Sequence, residues 1–285
     1  MKGMIALDID GTAAIPSQPI AEEVAEYLQG LAKQGWVVLF VTGRALHWAL
    51  KVVDSLRFPF FLACYNGAVL LEMPMKNVIK KKFLSKTILN SLQKICQQHA
   101  SSFVVYAENR FQDVCYYVPA TFSSVMLDYL RRRSAAFGEK WEPLVDFEGR
   151  VPEEFPSVKC FGEQSDAQKV ATLIEQQLHL HVPLIRDPFH LEYYVAQATH
   201  PDVTKGQALI DLSQYIGCRG PIIAAGDDHN DLSMFAQADH TIVMETAPPP
   251  LFDLADVIAP SAERHGIIKG IQDILMRIYT HNRSK

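Results

Sequence analysis

In the first 80 residues, continuous apolar runs alternate with segments in which apolar residues recur at helical spacing. Continuous apolar runs occur at Met4–Leu7, Trp36–Val41 and Phe60–Cys64, and such runs are typical of strands that are buried on both faces of a sheet. Between the first two runs, apolar residues recur every three or four positions from Ile20 to Leu31, which predicts a helix. A second helix is predicted over residues 45–56. Strands that alternate with helices predict a parallel sheet with helices on both sides.

The last 85 residues or so repeat this pattern. Apolar runs predict strands at 221–225 and 240–244, and helical periodicity predicts helices at 205–215, 230–238 and 267–279. We therefore predict that the two ends of the chain build one α/β domain around a Rossmann-like, doubly wound parallel sheet.

The middle of the chain has a different order of elements. A helix followed by two strands is predicted twice, and short turns between strands predict antiparallel sheets. One further helix and one or two strands lie between the two copies. We predict a discontinuous core domain over residues 1–83 and 199–285, with an inserted α+β domain over 84–198. The two copies are predicted at 85–98, 103–107 and 113–118, and at 166–178, 181–185 and 191–196, with the intervening helix at 122–133.

The strongest chemical signal directly follows the first predicted strand. The motif is Asp8-Ile-Asp10-Gly-Thr, and the carboxyl end of a strand is where ligands bind in an open α/β sheet. Two carboxylates two residues apart can serve one reacting group, with one attacking and the other transferring protons. The alternative interpretation is a helix cap with incidental acidic residues.

A second acidic motif follows the predicted strand 221–225. It reads Gly-Asp227-Asp228-His-Asn230-Asp231, and three carboxylates within five residues repel one another unless a cation lies between them. Mg²⁺ prefers hard oxygen ligands of this kind. A charged loop that caps the next helix is the alternative.

Two weaker motifs fit the same chemistry. Thr42-Gly43-Arg44 follows the strand Trp36–Val41, and a hydroxyl beside free backbone N–H groups at a helix start suits a phosphate. Lys205 opens a predicted helix after a polar loop. Taken alone, the first motif would be an ordinary helix cap and the second a solvated lysine.

Composition excludes several classes of protein. The 285 residues carry a formal net charge of −5, which argues against a general nucleic-acid or membrane-surface binder. The N-terminal segment does not resemble a signal peptide, and no apolar run is long enough to span a bilayer. Five scattered cysteines without a CxxC pair indicate reduced thiols. We expect a soluble cytoplasmic protein without nucleic-acid or membrane partners, and the sequence indicates no particular oligomeric state.

Together, the motifs resemble those of the haloacid dehalogenase superfamily, specifically the Cof-type phosphatases with a type IIB cap. The resemblance covers essentially the whole chain, and it places the inserted domain where that cap class has it. It implies a phosphatase that requires Mg²⁺ and acts on a small-molecule phosphate ester. The motifs occur in family order as Asp8-x-Asp10-Gly-Thr, Thr42-Gly-Arg, Asn66-Gly-Ala, Lys205-Gly-x-Ala-Leu and Gly226-Asp-Asp-x-Asn-Asp.

The resemblance also implies the roles of the residues. Asp8 would be the nucleophile, and Asp10 the acid and base. The metal would be bound by Asp8, Asp227 and the backbone carbonyl of Asp10. The phosphoryl group would be held by Thr42, Gly43, Asn66, Lys205 and Asn230, while Asp228, Asp231 and Arg44 would support the site.

Two other activities remain open at this point. A phosphomutase of the phosphomannomutase type shares the fold and the aspartate pair, and a catalytically silent binding protein could share the fold alone. Within the inserted domain, Arg110 lies near a predicted turn and is a candidate contact for an anionic leaving group.

Overall fold

The structure is a computed structural model, and it describes residues 1–281 except 100, 110, 111, 188, 189 and 191. The strands are β1 (Gly3–Asp8), β2 (Trp36–Val41), β3 (Phe60–Cys64), β4 (Val69–Met73), β5 (Asn77–Lys81), β6 (Leu84–Ser85), β7 (Ser102–Asn109), β8 (Gln112–Tyr117), β9 (Lys140–Pro143), β10 (Glu154–Phe155), β11 (Ser157–Glu163), β12 (Leu184–Arg186), β13 (Tyr193–Ala198), β14 (Ile222–Gly226), β15 (His240–Met244) and β16 (Val257–Ala259).

Eight α-helices are present in the part of the chain that the structure describes. They are α1 (Glu22–Lys33), α2 (Leu46–Val52), α3 (Leu89–Gln98), α4 (Ser124–Phe137), α5 (Gln164–Leu178), α6 (Lys205–Ile216), α7 (Leu232–Phe235) and α8 (Gly266–His281).

The chain forms two compact units. The first consists of residues 1–44 and 49–80 together with the residues from 204 to the C-terminal helix. The second consists of residues 45–48 and 81–203.

The first unit is built on an eight-stranded sheet. Its strand order is β16-β15-β14-β1-β2-β3-β4-β5. The strands from β16 to β3 pair in parallel, and β4 pairs with β3 in the antiparallel direction. This α/β sheet agrees with the predicted fold class. Every residue of β1 is buried, because both faces of a central parallel strand are covered.

The second unit contains a six-stranded sheet of order β12-β13-β11-β7-β8-β9 and a two-stranded sheet of β6 and β10. Helices α3 and α5 cover one face of the larger sheet, and their apolar side chains form a core with residues such as Val105, Val158 and Cys160. Successive side chains of a strand point to opposite faces of the sheet, so the residues next to Val105 in β7 and next to Val158 in β11 point away from α3 and α5.

Three predicted features are wrong in detail. The predicted helix 45–56 ends at Val52 in the structure, and the predicted helix 230–238 is a 3₁₀ turn at 229–231 followed by the short α7. The inserted sheet is not wholly antiparallel, since β9 pairs with β8 in parallel. Helix α4 connects these two strands. A helical connection returns the chain to the starting end of the sheet, so that the second strand runs parallel to the first.

Two further features of the fold concern the cysteines and the helices. All five cysteines are reduced thiols that form no disulfide among the described residues, and four of them are buried. Among the described residues, no helix combines the length and apolarity that a membrane span requires.

Candidate active site

The site lies where three neighbouring parallel strands end. Strand β1 lies between β2 and β14 and is parallel to both, so their carboxyl ends meet at one edge of the sheet. Asp8 is the last residue of β1, Thr42 follows β2, and Asp227 follows β14. The fold therefore brings together three motifs that are far apart along the chain.

A buried lysine connects two carboxylates at this edge. The Nζ atom of Lys205 donates hydrogen bonds to Oδ1 of Asp8 and to Oδ1 of Asp231, the second at 2.6 Å. Lys205 is 1 % exposed and Asp231 is fully buried. Charge-assisted hydrogen bonds are required here because an unpaired ammonium or carboxylate would be costly to bury.

Helix α6 places Lys205 at its first residue. Thr204 caps this helix by accepting a hydrogen bond from the backbone N–H of Gln207 at 3.0 Å. The next residue, Gly206, approaches the α7 backbone so closely that a Cβ would lie 2.0 Å from the carbonyl oxygen of Ser233. A glycine at this position therefore allows the helix, and with it Lys205, to reach the sheet edge.

The loop after β14 is folded around Asp231. Its Oδ2 atom accepts hydrogen bonds from the backbone N–H groups of Asp227 and Asp228, at 2.9 and 3.1 Å. The Thr12 hydroxyl donates to Oδ1 of Asp227 at 3.1 Å. Gly11 has a φ of +78°, and a Cβ there would lie 2.3 Å from Oδ2 of Asp227. The turn after β1 is thus fitted to the loop after β14.

Burial perturbs the acid–base properties of the cluster. Burial raises the pKa of Asp8 to about 7 despite the opposing charge of Lys205, and Asp231 and Asp10 add to the rise. The pKa of Asp227 is raised well above its usual range by burial and by Asp8 and Asp231. Burial lowers the pKa of Lys205, but the two carboxylates that it contacts outweigh this effect and raise it overall.

These properties fit a divalent cation. One carboxylate oxygen each from Asp8, Asp227 and Asp231 lies within 4.8 Å of the other two. Three buried or partly buried carboxylates face the ammonium of Lys205, and like charges at this distance repel one another unless a cation is bound. Carboxylate oxygens are the ligands that Mg²⁺ prefers. The residues present therefore suit a divalent metal.

Asp10 is held by an arginine. The Arg44 guanidinium donates from Nε and Nη2 to the two carboxylate oxygens of Asp10. The backbone N–H of Arg44 donates to Thr42 Oγ1 at 3.1 Å. The Thr42 hydroxyl is thus an acceptor in the turn, and its own proton can be donated to another group.

Asn66 occupies a tight turn after β3. Tyr65, Asn66 and Gly67 have φ values of +51°, +58° and +108°, a left-handed conformation that non-glycine residues adopt rarely. The Asn66 backbone N–H donates to the Thr42 carbonyl at 2.8 Å. Its side-chain amide is buried, with no hydrogen-bond partner among the described residues. A buried amide of this kind requires a ligand or water to satisfy it.

The remaining predicted residues lie in the same loops. Gly43 lies between Thr42 and Arg44, and Asp228 accepts a hydrogen bond from the backbone N–H of His229 at 2.7 Å. Asn230 lies in the turn at 229–231, and no hydrogen bond joins its side chain to another residue of the described chain. The prediction for Arg110 falls outside the described residues.

Two features of the site have no clear signal in the sequence. The hydrogen bond from Thr12 to Asp227 and the two-point contact from Arg44 to Asp10 depend on how the loops approach one another. Thr12 belongs to the motif at Asp8 and Arg44 to the motif at Thr42, but neither motif indicates which residue its side chain contacts.

The match to a family model covers nearly the whole chain. Residues 5–271 match the haloacid dehalogenase-like hydrolases. Two proteins of Bacillus subtilis (strain 168) are similar over most of their length, and both are named 5-amino-6-(5-phospho-D-ribitylamino)uracil phosphatase. YwtE is 25 % identical, over 96 % of this chain and 99 % of its own. YcsE is 22 % identical, over 94 % of each chain.

Solved structures show the same fold. A haloacid dehalogenase-like hydrolase from Bacteroides thetaiotaomicron superposes with a TM-score of 0.76 at 20 % identity, over 96 % of this chain and all of the other. Fold, motif order and the family match agree with one another. The chain belongs to the haloacid dehalogenase-like hydrolases.

Proposed function

We propose that this phosphatase hydrolyses a small phosphorylated metabolite through a phospho-aspartyl intermediate on Asp8, in a reaction that depends on Mg²⁺. The substrate would be a sugar phosphate, a nucleotide or a cofactor phosphate. One observation carries the proposal: the buried Asp8 carboxylate contacts Lys205 and lies within 4.8 Å of two further carboxylates. The residues proposed as the nucleophile, as the cation for the phosphoryl oxygens and as the metal ligands are thus close enough to act together.

The metal would be held by the carboxylates of Asp8 and Asp227 and by the backbone carbonyl of Asp10, with Asp231 beside them. Bound Mg²⁺ would neutralise phosphoryl charge and let the carboxylate and the phosphate approach each other. Phosphoryl transfer requires such charge neutralisation and in-line positioning more than it requires covalent chemistry.

In the first step, a carboxylate oxygen of Asp8 forms a bond to phosphorus while the ester P–O bond breaks. Asp10 gives its proton to the leaving oxygen, which departs as an alcohol. In the second step, Asp10 takes a proton from a water molecule whose oxygen attacks phosphorus. The bond between phosphorus and Asp8 breaks, which releases phosphate and restores the carboxylate.

Other residues position the phosphoryl group. Lys205 removes repulsion between the phosphate and the carboxylates. The Thr42 hydroxyl and the Asn66 amide, which has no hydrogen-bond partner among the described residues, would donate to phosphoryl oxygens. Gly43, next to Thr42, and Asn230, in the turn at 229–231, would add further contacts to the phosphoryl group. We further propose that the inserted domain at 84–198 sets the specificity for the leaving group.

The test is phosphate release from a panel of sugar phosphates, nucleotides and cofactor phosphates, with and without Mg²⁺. The panel includes 5-amino-6-(5-phospho-D-ribitylamino)uracil, because two relatives are named for it. We expect turnover that requires Mg²⁺ and that falls at least about 10³-fold in Asp8→Asn, since loss of a nucleophile has effects of this order or larger. Asp54→Asn, an exposed site in the same unit, is the matched control.

The alternatives predict different results. Interconversion of hexose 1-phosphate and 6-phosphate without phosphate release would favour the phosphomutase. Binding of Mg²⁺ without turnover of any ester, in a folded protein, would favour the silent binding protein and would contradict the proposal.

A further inference from the structure

The second unit contains a buried lysine that has no anionic partner in the described part of the chain. Lys159 lies in β11 and is 7 % exposed. No carboxylate of the described chain lies within the 4.0 Å ion-pair distance of its ammonium, and no described residue accepts a hydrogen bond from it. Its contact is the face of the Tyr106 ring, whose centroid lies 4.5 Å from Nζ. Proteins rarely bury a charge without pairing it, because desolvation is costly.

The sheet places a second unsatisfied group on the same face. Ser157 lies two residues before Lys159 in β11, so both side chains point to one side of the sheet. Ser157 pairs in register with Tyr106 of β7. It is fully buried, and its Oγ atom has no hydrogen-bond partner among the residues described. An ammonium, a hydroxyl and an aromatic face are therefore immediate neighbours.

Two nearby groups that could in principle become anionic remain neutral. Burial raises the pKa of the Tyr106 phenol well above its usual range, and burial also raises the pKa of the Cys115 thiol. Cys115 pairs in register with Tyr106 on β8. Neither side chain can therefore supply the negative charge that Lys159 lacks.

The charged neighbours do not pair with Lys159 either. Glu139 accepts a hydrogen bond from Trp141 Nε1 at 2.8 Å. Arg133 adds a second positive charge, while Asp113 and Glu139 act on Lys159 only over a distance. Burial and the charge of Arg133 lower the pKa of Lys159 to about 8, although Asp113 and Glu139 act to raise it.

We propose that Lys159, the Ser157 hydroxyl and the Tyr106 ring form a binding site for an anionic group of a small molecule. The anion would be a carboxylate or a phosphoryl group. It would accept hydrogen bonds from the ammonium and the hydroxyl, and it would supply the missing negative charge. The site belongs to the second unit alone and does not depend on the chemistry at Asp8.

The test observes Lys159 directly in the full-length protein. Lysine is labelled with ¹³C at Cε, and the Lys159 resonance is identified by its absence in Lys159→Met and, if that variant does not fold, in Lys159→Arg. Malonate and inorganic phosphate are titrated separately in Mg²⁺-free buffer. The position of this resonance reports on the lysine itself, whatever binds at Asp8.

We expect the Lys159 resonance to move saturably with at least one probe, and its pKa to rise in the complex. Malonate alone would identify a carboxylate site, phosphate alone a phosphoryl site, and both together a general anion site. Ser157→Ala should weaken binding by about tenfold, as expected for a lost hydrogen bond to a charged group.

Lys169→Met is the matched control, because Lys169 belongs to the same unit and its side chain is 61 % exposed. The change should leave the binding curve unaltered. A Lys159 resonance that stays in place with both probes, in folded protein, would overturn the proposal. So would equal affinity in Ser157→Ala and the unchanged protein, because the hydroxyl would then take no part.

Discussion

Lys205 is central to the charge balance of the candidate active site. It is buried, it contacts Asp8 and Asp231, and it opposes the effect of burial on the pKa of Asp8. That Asp8 and Asp231 lie close together could be predicted from the sequence, because their motifs follow neighbouring parallel strands whose carboxyl ends share one edge of the sheet. Lys205 opens a helix, and only the family resemblance indicated its place in the site. Their contacts could not be predicted in the same way. Motif spacing says nothing about which oxygen of Asp231 faces Lys205 and which faces the loop.

The raised pKa of Asp8 predicts how Mg²⁺ binding depends on pH. Its folded-state pKa is about 7, above the ordinary value of 3.8. Between about pH 4 and pH 7, Asp8 is therefore protonated in the metal-free folded state and ionised in the unfolded state. The free energy of unfolding consequently falls as pH rises through this range. Because metal ligands must be deprotonated, Mg²⁺ should bind more tightly as pH rises through 7.

The measurement is the Mg²⁺-induced rise in melting temperature at a series of pH values from about 5.5 to 8. The rise should be small at the acidic end and should grow through pH 7. In Asp8→Asn the part of this dependence that comes from Asp8 should disappear. A rise in melting temperature that does not change over this range would contradict the assignment.

The contact between Arg44 and Asp10 predicts a second effect at this scale. Lysine keeps the positive charge but cannot form the two-point contact of a guanidinium. Asp10 would then be less well positioned, and we expect kcat to fall about ten- to hundredfold in Arg44→Lys. Steady-state kinetics on the best substrate of the panel provide the measurement. Arg57→Lys, at an exposed position, should change little, and equal rates for both variants would argue against a role for Arg44.

At the scale of elements, the prediction succeeded where burial alone determines the structure. The runs 36–41, 60–64 and 240–244 are strands with the predicted bounds, because a central strand is apolar along its whole length. The prediction failed at 230–238. Asp231 uses its side chain to bind backbone N–H groups of the preceding loop, which favours a tight turn, and an apolar pattern does not reveal such a contact.

The close approach of α6 to α7 predicts that a methyl group added at Gly206 destabilises the protein. In Gly206→Ala, the Cβ would lie 2.0 Å from the Ser233 carbonyl oxygen, so the helix and Lys205 must move. We expect a loss of about 1–3 kcal/mol in the free energy of unfolding. Turnover should also fall, because Lys205 is displaced from Asp8.

Gly30→Ala is the control for this prediction. Gly30 lies inside α1, and a Cβ there would have no neighbour within 4 Å. Alanine should stabilise this helix by roughly 0.5–1 kcal/mol. Urea denaturation measures both variants. Equal stability changes in the two would show that the approach of α6 to α7 is not tight.

For the whole molecule, the fold class was predictable from the order of elements, and the family comparison agrees with it. The direction of β9 was not predictable, because the pattern of a strand does not reveal its neighbours. The polar groups buried in the second unit were also missed. Ser157 and Lys159 are both buried in β11, and neither side chain has a hydrogen-bond or ion-pair partner among the described residues; the sequence of the strand indicates neither property.

The central claim is that Asp8 becomes phosphorylated during turnover, and borohydride trapping tests it most directly. The enzyme is mixed with Mg²⁺ and its best substrate, the reaction is stopped within a turnover, and borohydride reduces any acyl phosphate to an alcohol. Mass spectrometry of the peptide around β1 should find homoserine at position 8, in amounts that depend on substrate and Mg²⁺. Unmodified aspartate at position 8, in enzyme that is turning over, would contradict the account.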